Sequence, residues 1–451
     1  MADLSEYTIV RDSLHTERMF YLYHRLGLWS NVVVAAKYAH VDGQRLTETR
    51  VLEALKAVVE AQPHLRTTGV SVSSAQEGRT ELRIGLLHAI DIEACVEFVE
   101  SSSDGEITAS LIERVHNEWS FLEPDQPHFK VLIIDLKSVV FVFHHLVGDG
   151  ISGNIFHKAF LQALNSRARH ESRGEPEGSS RWIVQSDPAT TQLPVSFLDI
   201  WRQANTLGKP WGPSMLELLW IALYAIAHQW LFGKRYFFDE FPGPKFPFPA
   251  NPTAVAGESQ RTLTNNIVSR IPAATMKKAL EVCRSEGVTF TALLNTVVMA
   301  TLAEDIYPKA TYGSSRTPHG QETARIKSNI DAGVRMLVTY ESQGAPEDLD
   351  HMLQKVLPNV GLGLRRKFLI SNIGATDFKL HDAGPWSIDD LVFSAAATSA
   401  HVGTRGFIFH VAGAKGGDTT IVTGWEEGVA SEDLARKTIE GTLARIEAMV
   451  S

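Results

Sequence analysis

Residues 141–153 read FVFHHLVGDGISG. An apolar run ends in two adjacent histidines, His144 and His145. Three glycines and Asp149 follow within eight residues, and helical spacing resumes in 154–165, NIFHKAFLQALN. Just upstream, 129–143 (FKVLIIDLKSVVFVF) reads as two β-branched, aromatic strands joined at Asp135–Ser138. The histidines therefore stand where a buried strand gives way to a turn.

Three chemistries compete for this stretch. Gly148-Asp149-Gly150-Ile151-Ser152-Gly153 satisfies the dinucleotide fingerprint G-x-G-x-x-G. That motif needs a second parallel strand ending in an acidic residue about 20 positions on. Here 166–195 is charged, rich in Ser and Pro, and without apolar periodicity, so the fingerprint lacks its context. A metal site would draw on His144, His145, Asp149 and His157. Neighbouring strand residues face opposite ways, so the two histidines do not readily share an ion, and no second ligand cluster is visible. No metal is expected.

An acid/base histidine fits best. The alternation that separates the histidines lets one face a solvent channel while the other packs inward. Imidazole is also the side chain whose unperturbed pKa lies nearest neutrality. Glycines at 148 and 150 would bend the chain and leave clearance for a substrate. Asp149, at the turn, would point away and hold the loop by an ion pair or backbone hydrogen bonds. The plain alternative, two satisfied polar residues at a strand end, suits a lone histidine better than H-H-x-x-x-D-G.

Outward from the loop, 28–38 (LWSNVVVAAKY) reads as a strand, and 46–61 as a helix with Thr47 as N-cap and Val51, Leu52, Leu55, Val58 and Val59 on its apolar face. Strands are expected at 80–86 and 92–98, and a helix near 108–117. After the Pro-dense 242–252, strand 262–272, helix 273–285 and apolar helix 288–304 begin a second series. The pattern predicts an α/β fold in two halves: 1–200 carrying the histidines, 201–255 as a crossover with an apolar helix, and 256–451.

At 451 residues the chain exceeds one ordinary core. Its net charge of −9 offers no broad attraction to phosphate polymers, which excludes nucleic acid as the main partner. Cys95 and Cys283 stand alone, with no disulfide or zinc motif, in keeping with a reducing, cytoplasmic setting. The N-terminal stretch is polar and lacks the apolar core of a signal peptide. Residues 214–232, SMLELLWIALYAIAHQWLF, are long enough to span a bilayer, but Glu217, His228 and Gln229 argue for a buried or tunnel-lining helix. Peripheral contact with a membrane or lipid droplet stays open.

His144-His145-Leu146-Val147-Gly148-Asp149-Gly150 resembles the HHxxxDG signature of the chloramphenicol-acetyltransferase-like superfamily, which includes condensation domains. Glu17–Tyr38 (ERMFYLYHRLGLWSNVVVAAKY) is most similar to the opening of its fungal alcohol acetyltransferase branch. Gly287-Val288-Thr289, the DAGVR at Asp331–Arg335, Ser371-Asn372-Ile373-Gly374, and glycine-flanked strands at 406–413 and 417–425 recur in the branch's order. The DFGWG element of the plant-type branch is not found.

The resemblance implies two chloramphenicol-acetyltransferase-like halves, a pseudo-dimer in one monomeric chain, with an active-site tunnel between them. Acyl-CoA, most commonly acetyl-CoA, would enter as co-substrate with no permanently bound cofactor, and a small-molecule alcohol, possible secondary metabolites included, would accept the acyl group. By the same resemblance His145 is the general base, His144 its inward neighbour and Asp149 a structural anchor. Gly150 gives clearance, Arg335 is the charge partner of Asp149, and Asn372 and Ser394 line the far wall. An N-acyltransferase is the nearest variant. A relative redirected to CoA-independent cyclisation or isomerisation, and a non-catalytic binding protein, are the readings from other classes.

Overall fold

The computed structural model describes residues 7–25, 31–73, 80–101, 103–167, 182–193, 220, 223, 263–308, 368–378, 384–396 and 406–451. The chain divides into two compact units. The first comprises Met1–Pro194, Ile373–Ala396 and His410–Val422; the second comprises Val195–Asn372, Ala397–Phe409 and Thr423–Ser451.

The centre of the first unit is a five-stranded sheet in the order β12-β2-β8-β7-β6, with β2 at Asn31–His40, β6 at Val96–Val99, β7 at Phe129–Ile134, β8 at Ser138–His144 and β12 at Trp386–Ala395. All pairs are antiparallel except β6 with β7. The two strands expected across the Asp135 turn are β7 and β8, and Asp135 and Leu136 take positive φ there. Strand β8 is buried along its whole length, which is why it reads as a continuous apolar run rather than an alternating one.

Helices cover both faces. Helix α2 (Glu48–Ala61) starts at Thr47, whose hydroxyl accepts from the Arg50 N–H at 3.3 Å, and it buries the five apolar positions anticipated for it. Helix α3 (Ala109–Asn117) is capped by Thr108, and α4 (Gly150–Arg167) follows the histidines. Even-numbered residues of β2 face α4: Val34 lies under Gly153, and the Tyr38 hydroxyl bonds His157 Nδ1 at 2.9 Å. Asn31, on the opposite face, donates to the Val115 carbonyl at the end of α3 at 2.7 Å.

A smaller antiparallel sheet, β1 (Tyr7–Asp12), β4 (Thr80–Leu87) and β3 (Thr67–Ser73), carries α1 (His15–Arg25), a helix for which the sequence reading made no provision. Strands β5 (Ala89–Asp91) and β9 (Ile183–Gln185) pair separately. Strands β10 (Thr264–Ile271), β14 (Thr419–Glu426), β13 (Ile408–Ala414) and β11 (Leu369–Thr376) form a four-stranded sheet in that order.

In the second unit α5 (Ala273–Ser285) and α6 (Phe290–Thr301) flank Gly287 at φ +65°, and both pack on α7 (Glu432–Val450). Arg445 ties α7 to Glu304 at 2.9 Å and to Asp305 in the π-turn after α6. Among the described residues no single helix is long and apolar enough to cross a membrane. Of the apolar stretch 214–232, only Trp220 and Leu223 are described, both helical and exposed. The crossover 201–255 otherwise lies outside the described residues, as does Arg335.

Candidate active site

His144 is the last residue of β8 and His145 the first of the turn. Asn31 pairs with His144 in register, so His144 points to the α3 side of the sheet. There it is almost fully buried, with His24 at 4.8 Å and His128 at 5.6 Å between ring centroids. Its Nδ1 accepts from the Leu146 N–H at 2.8 Å, and its carbonyl accepts from the Val147 N–H at 2.9 Å. Burial first, then the neighbouring imidazoles of His24, His128 and His145, pushes its pKa well below the usual histidine range. A neutral ring with Nδ1 as acceptor carries its proton on Nε2. His144 is thus a wedge that shapes the turn.

His145 differs. It keeps partial exposure and stacks face to face on Phe20 of α1, with ring centroids 3.8 Å apart and planes 5° from parallel. Desolvation lowers its pKa, opposed by its own carbonyl, the Asp149 charge and the Gly148 carbonyl. With its pKa held below the usual range, the His145 ring is neutral at pH 7.

Asp149 is exposed and is the N-cap of α4. Its Oδ1 accepts from the Ser152 N–H at 2.9 Å and from the Ser152 hydroxyl at 3.0 Å, while Ser152 Oγ accepts from the Asp149 N–H at 3.1 Å. This reciprocal pair is a capping box built from Asp and Ser. Of the two means of holding the loop anticipated for Asp149, backbone hydrogen bonding is the one present among the described residues. The helix starts at Gly150, four residues ahead of the spacing read from sequence.

The three glycines have a steric rather than a conformational reason, for none of them has positive φ. A Cβ on Gly150 would stand 2.7 Å from Ile373 and 2.8 Å from Phe393. One on Gly148 would meet Ser152 at 2.5 Å, and one on Gly153 would overlap Val34. The fingerprint G-x-G-x-x-G here records close packing of α4 on β2, β11 and β12, not a phosphate cradle. His157, drawn into the metal alternative, donates from Nε2 to the Val34 carbonyl at 2.9 Å and fastens α4 to β2. Among the described residues no cluster of three or more His, Cys, Asp or Glu side chains is placed to hold a metal ion.

Ser394 lies fully buried on β12, its Oγ 2.9 Å from His116 Nε2. Burial, reinforced by nearby His410, holds His116 down to about 3, so this pair is a neutral Ser–His contact under the sheet. Asn372 is on β11, and its side-chain amide donates to Thr291 Oγ1 of α6 at 2.9 Å. The sequence reading missed Phe20, His24 and His128. Phe20 and His24 are one turn apart in Glu17–Arg25, a spacing that would have put both on one face once that stretch was read as a helix.

The alcohol acetyltransferase family model matches residues 97–318, a span that includes the His144–Gly150 turn. A probable alcohol acetyltransferase of Fusarium pseudograminearum is 23% identical over 94% of this chain and 92% of its own length. Another, from Aspergillus fumigatus, is 26% identical over 38% of this chain and 39% of its own. Among solved structures, the trichothecene 15-O-acetyltransferase of Fusarium sporotrichioides superposes with a TM-score of 0.62 at 10% identity, covering 100% of this chain and 99% of that one. The condensation domain of the monacolin K polyketide synthase gives 0.55 at 10% identity, covering 99% and 98%. Over residues 97–318 the chain is thus similar to the alcohol acetyltransferases, and its fold is the one that the trichothecene 15-O-acetyltransferase and condensation domains share.

Proposed function

We propose that the protein is a CoA-dependent O-acetyltransferase that acetylates an alcohol of secondary metabolism, with His145 as general base. The observation that carries this reading is the placement of His145: partly exposed at the end of a buried strand, neutral, and stacked on Phe20. The alcohol acetyltransferase relatives and the trichothecene 15-O-acetyltransferase likeness support the substrate class.

An alcohol is too weak an acid to attack a thioester unaided. His145 takes the hydroxyl proton as the oxygen adds to the acetyl carbonyl, and the tetrahedral intermediate collapses to expel the CoA thiolate. The imidazolium returns its proton to that sulfur, so no acyl-enzyme forms. The N–H groups of Leu146, Val147 and Asp149 are already bonded within the turn, which directs the search for an oxyanion donor elsewhere.

His145→Ala should lower kcat by roughly 10²–10⁴-fold, the contribution of a positioned general base, and leave acetyl-CoA affinity nearly unchanged. Calorimetric binding of acetyl-CoA to the wild type, followed by turnover with a panel of alcohols, tests the reading. Full activity in His145→Ala, or label from acetyl-CoA retained on denatured protein, would overturn it. A wild type that does not bind acetyl-CoA would point to a redirected, CoA-independent enzyme.

A further inference from the structure

Helix α1 brings three side chains to the histidine pair. Phe20 covers one face of His145, while Tyr21 and His24 abut His144 at 6.1 Å and 4.8 Å. The helix is itself well held. Glu17 accepts from the Leu14 N–H at 2.7 Å, and Arg11 binds both Glu17 oxygens at 2.7 Å and 2.8 Å. Tyr21 is buried with Leu82, Ile84 and Leu146, and its ring passes 3.1 Å from where a Cβ on Gly69 would be. Phe20 is therefore presented from a stiff platform.

Rings 3.8 Å apart and 5° from parallel touch over their whole faces. Turning the imidazole about its Cβ–Cγ bond would drive its edge into the phenyl ring. The lone pair of a neutral imidazole lies at the ring edge, in the plane that the stacking fixes. We infer that Phe20 is the positioning residue of the general base: its flat ring holds the His145 imidazole in one plane and keeps water from one face, so that the lone-pair nitrogen meets the acceptor hydroxyl in line. The inference rests on the reading of His145 as base. The desolvation that lowers the His145 pKa agrees with it.

The test uses the full chain with Phe20→Leu, which keeps apolar volume but removes the flat face, and Phe20→Tyr, which keeps the face. His145 titration is followed by NMR on isotope-labelled histidine, with His145→Ala assigning the resonance; kcat, acetyl-CoA KM and their pH dependence are measured alongside. Phe20→Leu should lower kcat on the order of 10- to 100-fold, as small misplacements of reacting groups do, with acetyl-CoA KM within about twofold. It should also move the His145 titration and the acid limb of the rate profile to higher pH, and Phe20→Tyr should restore both. If Phe20→Leu does not fold, Phe20→Met makes the same comparison. An unmoved titration, or equal losses in the Leu and Tyr variants, would overturn the inference. If the wild type transfers no acetyl group yet the titration follows Phe20, the base assignment fails while the stacking control stands.

Discussion

At Asp149 the exposed carboxylate caps a helix, and among the described residues it completes no buried ion pair. Truncating it should therefore have the effect of a lost N-cap, about 1 kcal/mol, and not the several kcal/mol of an orphaned buried charge. Asp149→Ala is expected to lower stability by that amount in urea denaturation, and Asp149→Asn, which caps as well, to restore most of it. A loss of several kcal/mol in both variants would show that the charge, and a partner such as Arg335, matters more than the cap. His144 sits on the other side of this distinction. His144→Ala removes the acceptor of the Leu146 N–H and opens a space beside His24 and His128, so it should destabilise by roughly 2–4 kcal/mol. Its activity should fall only as far as the turn is distorted, which thermal melts beside kinetics would separate.

Helix α4 carries this turn at its N-terminus and is fixed to the sheet along its length. Gly153 lies on Val34, and His157 bonds the Val34 carbonyl. Near its end, Asn165 accepts from the Trp386 N–H at 2.9 Å and donates to the Trp386 carbonyl at 3.1 Å. Gly153→Ala should cost about 1–3 kcal/mol through overpacking, and Val34→Ala in the same chain should recover part of it. A double-mutant cycle measures that coupling, and strictly additive losses would show that the helix shifts freely off β2. Asn165→Ala would leave both backbone groups of a buried strand residue unpaired, placing its cost at about 2–3 kcal/mol.

Buried histidines make the first unit sensitive to acid. Burial lowers His128 and His157 to about 4, and His116 and His410 to about 3, with His144 well below its ordinary range. Each native ring excludes a proton that the unfolded ring accepts near pH 6.5. Stability is thus fully present above that pH and falls as pH drops toward the native values. At pH 5.5 each such histidine costs about 1.4 kcal/mol. Denaturation midpoints should fall steeply between pH 6.5 and 4, with proton uptake on unfolding; a flat profile would show that the rings are hydrated. The two thiols, both buried and with pKa values pushed up (Cys95 to about 12), should be inert, so Cys95→Ser and Cys283→Ser should keep wild-type turnover.

Read alone, the chain already disclosed the strand, turn and helix around His144 and His145, because a fully buried strand and a 3.6-residue period leave their marks in consecutive residues. Thr47 and the apolar face of α2 were legible for the same local reason. The reason for the glycines was not. A G-x-G-x-x-G that spares Val34, Ile373 and Phe393 looks the same in one dimension as one that bends around a phosphate. Nor could sequence bring Trp386–Ala395 beside β2, or Phe20 onto His145, since strand pairing and ring stacking join residues far apart in the chain. The sequence by itself determined which residues could do acid/base chemistry and where the turn falls. The tertiary structure alone decided which histidine is buried in the turn and which stays partly exposed on Phe20, because burial, hydrogen-bond partners and the ring opposite are properties of neighbours that only folding supplies.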